Sequence, residues 1–169
     1  MTQSPSPSRP PIVELQTHPS FWHAIVEGMP AGMLIVDRDH NILDMNTTLL
    51  EWIQKPREDV LGKKCHHVLF QSDLPCGLEN DGCPAVQAFS NAEPSPKTPC
   101  SHLSGEGSRK ELEIQAYPLM DSSGSPRYAL EFIQDVTAAA LLRQYQEEAA
   151  LRDPLTGLYN RKAFLLFYE

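Results

Sequence analysis

Strand-forming sequence stands at both ends of the central part of this chain, with only short helical segments between. At the front, Ala31-Gly32-Met33-Leu34-Ile35-Val36-Asp37 is a short apolar run suited to a buried strand. Arg38-Asp39-His40-Asn41 makes a turn, and Ile42-Leu43-Asp44-Met45 returns as the second strand of a hairpin. At the back, three strands are expected near Cys100–Leu103, over Arg109–Leu119 and over Arg127–Val136. In the second of these, Leu112, Ile114 and Ala116 alternate with Glu111, Glu113 and Gln115, the period of a half-buried strand. Tyr128, Leu130, Phe132 and Val136 give the last strand an imperfect alternation. Segregated strands and helices point to the α+β class.

The helical segments carry recognisable starts and stops. Ser20 is placed to cap a helix through Gly28, in which Phe21, Trp22 and Ile25 share one face; Gly28 and Pro30 end it. Asn46 caps Thr47–Ile53, and Pro56 opens a turn with Val60 and Leu61 as its apolar pair. A helix over Lys64–Phe70 carries Cys65, and Pro84 opens another that runs to Phe89. From Ala138 to Arg152 neither Gly nor Pro occurs, and Ala, Leu, Gln and Glu dominate. That is a helix, with Thr137 as its expected cap. Trp22 and Trp52 could line a pocket, but core packing is the first reading.

Composition narrows the partners. The formal net charge is -8 and no Lys/Arg run offsets it, so nucleic acid is not an expected partner. No apolar run approaches the roughly 20 residues of a membrane helix. The first residues lack the apolar core of a secretory signal. A cytoplasmic protein is expected, without membrane contact. Residues 1–18, Pro/Ser-rich over the first dozen, read as a disordered tail.

All four cysteines, Cys65, Cys76, Cys83 and Cys100, fall in one stretch that closes on His102. In a reducing compartment such a cluster points to metal ligands or redox thiols. Thiolates suit zinc or an iron–sulfur cluster. The spacing Cys-x10-Cys-x6-Cys-x16-Cys-x-His contains no Cys-x2-Cys pair, so spacing does not choose among the readings. Three stand open: a site using at least three cysteines, a redox-active thiol pair without metal, and simple packing. The last is suggested by Cys65, at core spacing with Val68 and Leu69. His23, His40, His66 and His67 read as surface residues, and nothing singles out haem.

Gly32-Met33-Leu34-Ile35-Val36-Asp37, the Asn41–Asn46 strand, Tyr117-Pro118-Leu119 with Asp121-Ser122-Ser123-Gly124, and a closing Asp135-Val136-Thr137 resemble PAS domains in order and spacing. The resemblance covers about residues 19–137. It implies a five-stranded antiparallel sheet with short helices on one face, often around a ligand pocket, followed here by a C-terminal linker helix. A cysteine-containing subset of the family has Gly-x-x-Cys, Pro-Cys, Cys-Pro and then a His in the next strand. Cys65, Cys76, Cys83 and His102 fit that order, with Cys100 as an added candidate ligand and a longer loop between Cys76 and Cys83. The helix of His66 shows no Asn-Cys-Arg-Phe-Leu-Gln-like run of the flavin-binding, light-sensing relatives.

Asp153-Pro154-Leu155-Thr156-Gly157-Leu158-Tyr159-Asn160-Arg161, with Phe164, resembles the opening of a GGDEF domain. That family includes the diguanylate cyclases, which join two GTP into cyclic di-GMP. The family's metal-binding carboxylates and signature loop would lie downstream, so this chain is expected to be no enzyme and to meet GTP only through an output domain in a longer diguanylate cyclase. The resemblance thus divides the chain into a tail (1–18), a PAS domain with its PAC portion (19–137), a coiled-coil-like linker (138–152) and the start of a GGDEF domain (153–169). Asp135, Thr137, Leu141, Leu142 and Tyr145 are the expected signal relay. A lone helix of this length is marginal in water, so a homodimer through linker and PAS domain is expected. The expected function is a sensor and dimerisation module for cyclic di-GMP signalling, with a possible Cys-bound metal or iron–sulfur redox centre. The alternative is a zinc-stabilised PAS interaction module that senses nothing.

Overall fold

A computed structural model describes residues 19–76, 82–100 and 110–167, with the side chains of Pro19 and Phe167 left aside. The expected tail, residues 1–18, lies outside these residues. Helix α1 (Pro19–Gly28) leads into strands β1 (Gly32–Asp37) and β2 (Ile42–Met45). Helix α2 (Thr47–Ile53), a 3-10 turn (Arg57–Asp59), α3 (Cys65–Phe70) and α4 (Pro84–Asn91) follow. Then come β3 (Thr98–Cys100), β4 (Leu112–Met120), β5 (Pro126–Asp135), α5 (Thr137–Ala150) and α6 (Arg161–Phe167). Among the described residues no helix is long and apolar enough to cross a membrane.

The strands form one five-stranded sheet in the order β2-β1-β5-β4-β3, every pairing antiparallel. β5 is therefore the central strand, flanked by β1 and β4. Side chains alternate faces along a strand. Leu112, Ile114 and Ala116 of β4 are buried as their alternation predicts, together with Leu34 and Val36 of β1. Across from them, Leu49 and Ile53 of α2, Cys65, Val68 and Leu69 of α3, and Ala85 of α4 complete one apolar core. The chain can pass this closely only because residue 32 is glycine. A Cβ there would come within 2.8 Å of Leu49 Cδ1 and 3.3 Å of Trp52 Cζ3.

The sheet's other face is not bare. Trp22 and Val26 of α1 border a groove of about 250 Å³ together with Met33, Ile35, Leu119 and Leu130. Apolar side chains therefore stand on both faces of β5, and this misleads the period reading. The buried set is Ala129, Glu131 and Ile133, while Tyr128, Leu130 and Phe132 are half-buried on the opposite parity. Glu131 lies opposite Leu34 on one side and Ala116 on the other, so the register leaves it no alternative to the interior.

Several caps differ from expectation. α1 begins at Pro19, so Ser20 lies in its first turn. Val136, not Thr137, is the N-cap of α5, and no side chain closes that cap. Val60 is buried but Leu61 is 40% exposed. The Asn46 cap is present, and it does more than cap. Its Oδ1 accepts from Leu49 N (3.2 Å) and Met33 N (2.9 Å), while its Nδ2 donates to the carbonyls of Ala31 (2.9 Å) and Val26 (3.1 Å). One buried amide thus ties α1, β1 and α2 together.

Candidate functional site

The interior face of β5 meets the cysteine-bearing helices at Glu131. Cys65 opens α3 and Cys83 is the N-cap of α4, so the two short helices deliver their first sulfurs to the core. Cys65 and Cys83 are buried, whereas Cys76 and Cys100 are partly so. No disulfide joins any of the four.

One contact dominates. The Cys76 thiol donates to Cys83 Sγ across 3.8 Å. That hydrogen bond favours the Cys83 thiolate and opposes ionisation of Cys76, so the two thiols separate into an anion and its donor. Cys83 is held below the ordinary thiol range, at about 6, although burial works the other way. The backbone N–H groups of Val86 and Ala85 at the start of α4 add to the effect without closing a cap hydrogen bond. Cys65 behaves oppositely: burial first, then the nearby Glu131 and Cys83, push its thiol well above the usual range.

Glu131 is fully enclosed. Burial, and then the neighbouring Cys83 sulfur, raise its carboxyl to about 8. Its Oε1 has no hydrogen-bond partner among the described residues, and the same holds for Nδ1 of His40 and of His66. His66 is itself buried, contrary to its reading as a surface residue, and its ring lies edge-on to His40 at 6.0 Å between centroids. Desolvation, then the flanking His67 and His40, hold it below the usual imidazole range. The interior thus holds thiols, a carboxyl and an imidazole, each tuned by burial and by its neighbours.

The expected metal ligands are only partly brought together. Cys76 and Cys83 touch, and Cys65 is electrostatically coupled to both. Cys100 packs at the edge of the same core from β3. His102 lies within 101–109, outside the described residues. Among the described residues no three His, Cys, Asp or Glu side chains are grouped to hold a metal ion. The one fit to a metal is the sulfur spacing. Two thiolates each about 2.3 Å from a tetrahedral ion stand about 3.8 Å apart, and Cys76 and Cys83 stand 3.8 Å apart.

A second constellation closes the sheet onto α5. Asp135 pairs with Lys110 through Oδ2, and its Oδ1 accepts from Thr137 N (3.0 Å) and Thr137 Oγ1 (2.6 Å). Thr137 Oγ1 accepts in turn from Glu111 N at 2.9 Å. Partial burial works against the Asp135 anion, but the Lys110 and Thr137 hydrogen bonds outweigh it and lower its pKa. Lys110 also lies over the Trp52 ring, 5.0 Å from its centroid. A continuous set of contacts therefore runs from α2 through Lys110 and Asp135 to the first turn of α5. Of the other relay candidates, Leu141, Leu142 and Tyr145 are 61%, 58% and 72% exposed along α5.

A family model for the PAS fold matches residues 26–141, more than half of the chain. The chain belongs to the PAS family. Among curated proteins no relative matches it. Solved structures share the PAS fold. An RNA-binding light-oxygen-voltage receptor superposes with a TM-score of 0.64 at 17% identity, over 89% of this chain and 40% of that one. This PAS protein therefore spans less than half the length of that receptor chain. A PAS domain from Colwellia psychrerythraea gives 0.58 at 16% identity, over 75% of this chain and 98% of that one. A PAS domain from a two-component sensor histidine kinase gives 0.52 at 13% identity, over 73% and 98%. At these identities the likeness establishes the fold.

Three features of this PAS domain escaped the sequence reading: Glu131, the burial of His66, and Lys110. The first left a trace, since Ala129-Leu130-Glu131-Phe132-Ile133 is a strand with one acid among apolar residues of both parities.

Proposed function

We propose that this PAS domain is the signal-receiving and dimerising part of a longer protein whose output is a GGDEF diguanylate cyclase. The observation that carries this reading is the continuity of β5 into α5 through the Asp135–Thr137 junction. α5 leads directly into the Asp153–Arg161 segment. There Asp153 Oδ1 accepts from the backbone N–H of Leu155 (3.1 Å) and Thr156 (2.9 Å), and Asn160 N donates to Leu151 O (2.8 Å). A displacement of β5 would thus be passed to α5 and to whatever follows it. The thiol and carboxyl cluster beneath β5 is where the signal acts. GTP is handled by the output domain, and the chain 1–169 turns over none.

The test uses the protein translated from the whole gene. Asp135→Ala should change the rate of cyclic di-GMP formation from GTP several-fold in either direction while the circular dichroism spectrum is kept. Absence of GTP turnover by the whole protein, or an unaltered rate in the variant, sinks this reading.

The 3.8 Å sulfur spacing favours a second reading. Cys65, Cys76, Cys83, Cys100 and His102 would then hold a metal, either an iron–sulfur centre serving as the sensor or a zinc ion that merely stabilises an interaction module. Absorbance and metal content of protein purified without oxygen separate these. Visible bands that bleach in air mark the first, and stoichiometric colourless zinc marks the second.

A further inference from the structure

We propose that Cys76 and Cys83 are a peroxide-responsive pair that closes to a disulfide, Cys83 taking the oxidation and Cys76 resolving it. The inference deepens the reading of the cysteine cluster as the signal-receiving site and names its signal as a hydroperoxide. It rests on that reading, but not on the nature of the output.

Geometry carries the case. Cys76 and Cys83 are in sulfur-to-sulfur contact, and only six residues separate them in sequence. The contact is directional, with the Cys76 thiol aimed at Cys83 Sγ. Cys83 is the N-cap of α4, at the helix end where the backbone N–H groups point outward. Cys76 retains partial exposure, so the pair is not sealed from small solutes.

The chemistry balances with one hydroperoxide. The Cys83 thiolate attacks the nearer peroxide oxygen, the O–O bond breaks, and an alcohol or water leaves after taking one proton. Cys83 is then a sulfenic acid. The Cys76 sulfur attacks it, an S–S bond forms, and the sulfenic oxygen departs as water with the Cys76 proton. The thiol pair is oxidised by two electrons and the peroxide is reduced by two.

The consequence for the fold is local. Closing the bond brings the sulfurs from 3.8 Å to about 2.05 Å. It draws Cys83, and with it the start of α4, toward Cys76. Glu131 lies on the central strand, four residues before Asp135, where the sheet joins α5.

The experiment treats the reduced, metal-depleted chain with a few equivalents of hydrogen peroxide and maps peptides under non-reducing conditions. A Cys76–Cys83 linked peptide should appear and vanish with dithiothreitol. In Cys76→Ser a dimedone adduct should accumulate at Cys83 at least tenfold over the wild type, which resolves its sulfenic acid. Cys65→Ala, if it folds, should leave both results unchanged. The proposal is overturned if no such link forms in the wild type, or if linkage involves Cys65, Cys100 or a second chain instead. It is also overturned if the adduct in Cys76→Ser falls on another cysteine. A link that forms in the whole protein without altering its cyclic di-GMP output would overturn the pair's role as the signal-receiving site and leave the cyclase reading standing.

Discussion

Glu131 is a carboxyl buried on the central strand. Its folded pKa lies at about 8 against an ordinary 4.5. The folded state therefore holds a proton that the unfolded chain releases. Its penalty is absent below about 4.5, grows as pH rises, and is complete above about 8. Glu131→Gln keeps the shape and removes the titration. It should match the wild type in stability near pH 4 and exceed it by up to roughly 4–5 kcal/mol at pH 8.5. Urea unfolding at the two pH values checks this, and equal gains at both would contradict it. Asn46 shows the opposite case. Its four hydrogen bonds leave no polar atom wanting, and its capping role was readable because Asn before a run of helical spacing has few other uses.

Among the elements, α5 depends most on its attachment. None of its residues is buried, and a helix of 14 residues alone in water is marginal. What holds its first turn is Asp135, through Lys110 and Thr137, and the Thr137 bond to Glu111 N. Asp135→Ala should therefore loosen α5 without unfolding the sheet. Amide exchange over 137–145 should rise about tenfold or more, while β1 and β5 keep their protection. Uniform loss of protection would mean that the junction supports the whole domain. The Asp-Val-Thr run announced this junction in the sequence, but assigned the cap to the wrong residue. Thr137 turns its hydroxyl back to the sheet and so cannot close the helix start. The short helices end less legibly still. Gln54, Gln71 and Ala92 take left-handed φ values of 54°, 51° and 55°, where a glycine would have marked the stop.

Across the molecule, apolar surface is left over in several places, Leu155, Leu158, Phe164, Leu165 and Leu166 after α5 among them, and two of these places bear on assembly. One is the α1 groove on the outer face of the sheet, and the other is the row Leu141, Leu142 and Tyr145 on α5. Exposed apolar residues at three- and four-residue steps on a helix that needs support would form the seam of the proposed helix pair. Sedimentation of the chain should show a dimer, and Leu142→Glu combined with Tyr145→Glu should raise its dissociation constant at least a hundredfold. A chain that stays monomeric at high micromolar concentration would show that α5 is supported in some other way.

The hairpin, the two long strands and the order of the short helices were legible in the residues alone, whereas β3, expected near Cys100–Leu103, stands at Thr98–Cys100 and residues 101–103 lie outside the described residues. The legible elements depend on local period and on capping or turn chemistry, which a linear reading can see. The PAS assignment followed from that order. The face of β5 that turns inward was not legible, because both of its parities carry apolar residues. Pairing with β1 and β4 settled it, and in doing so buried a glutamate. Spacing named the four cysteines as candidates but could not say which of them meet. Folding brought two helix starts and a loop around one strand, and sulfur-to-sulfur distance is a property of that convergence.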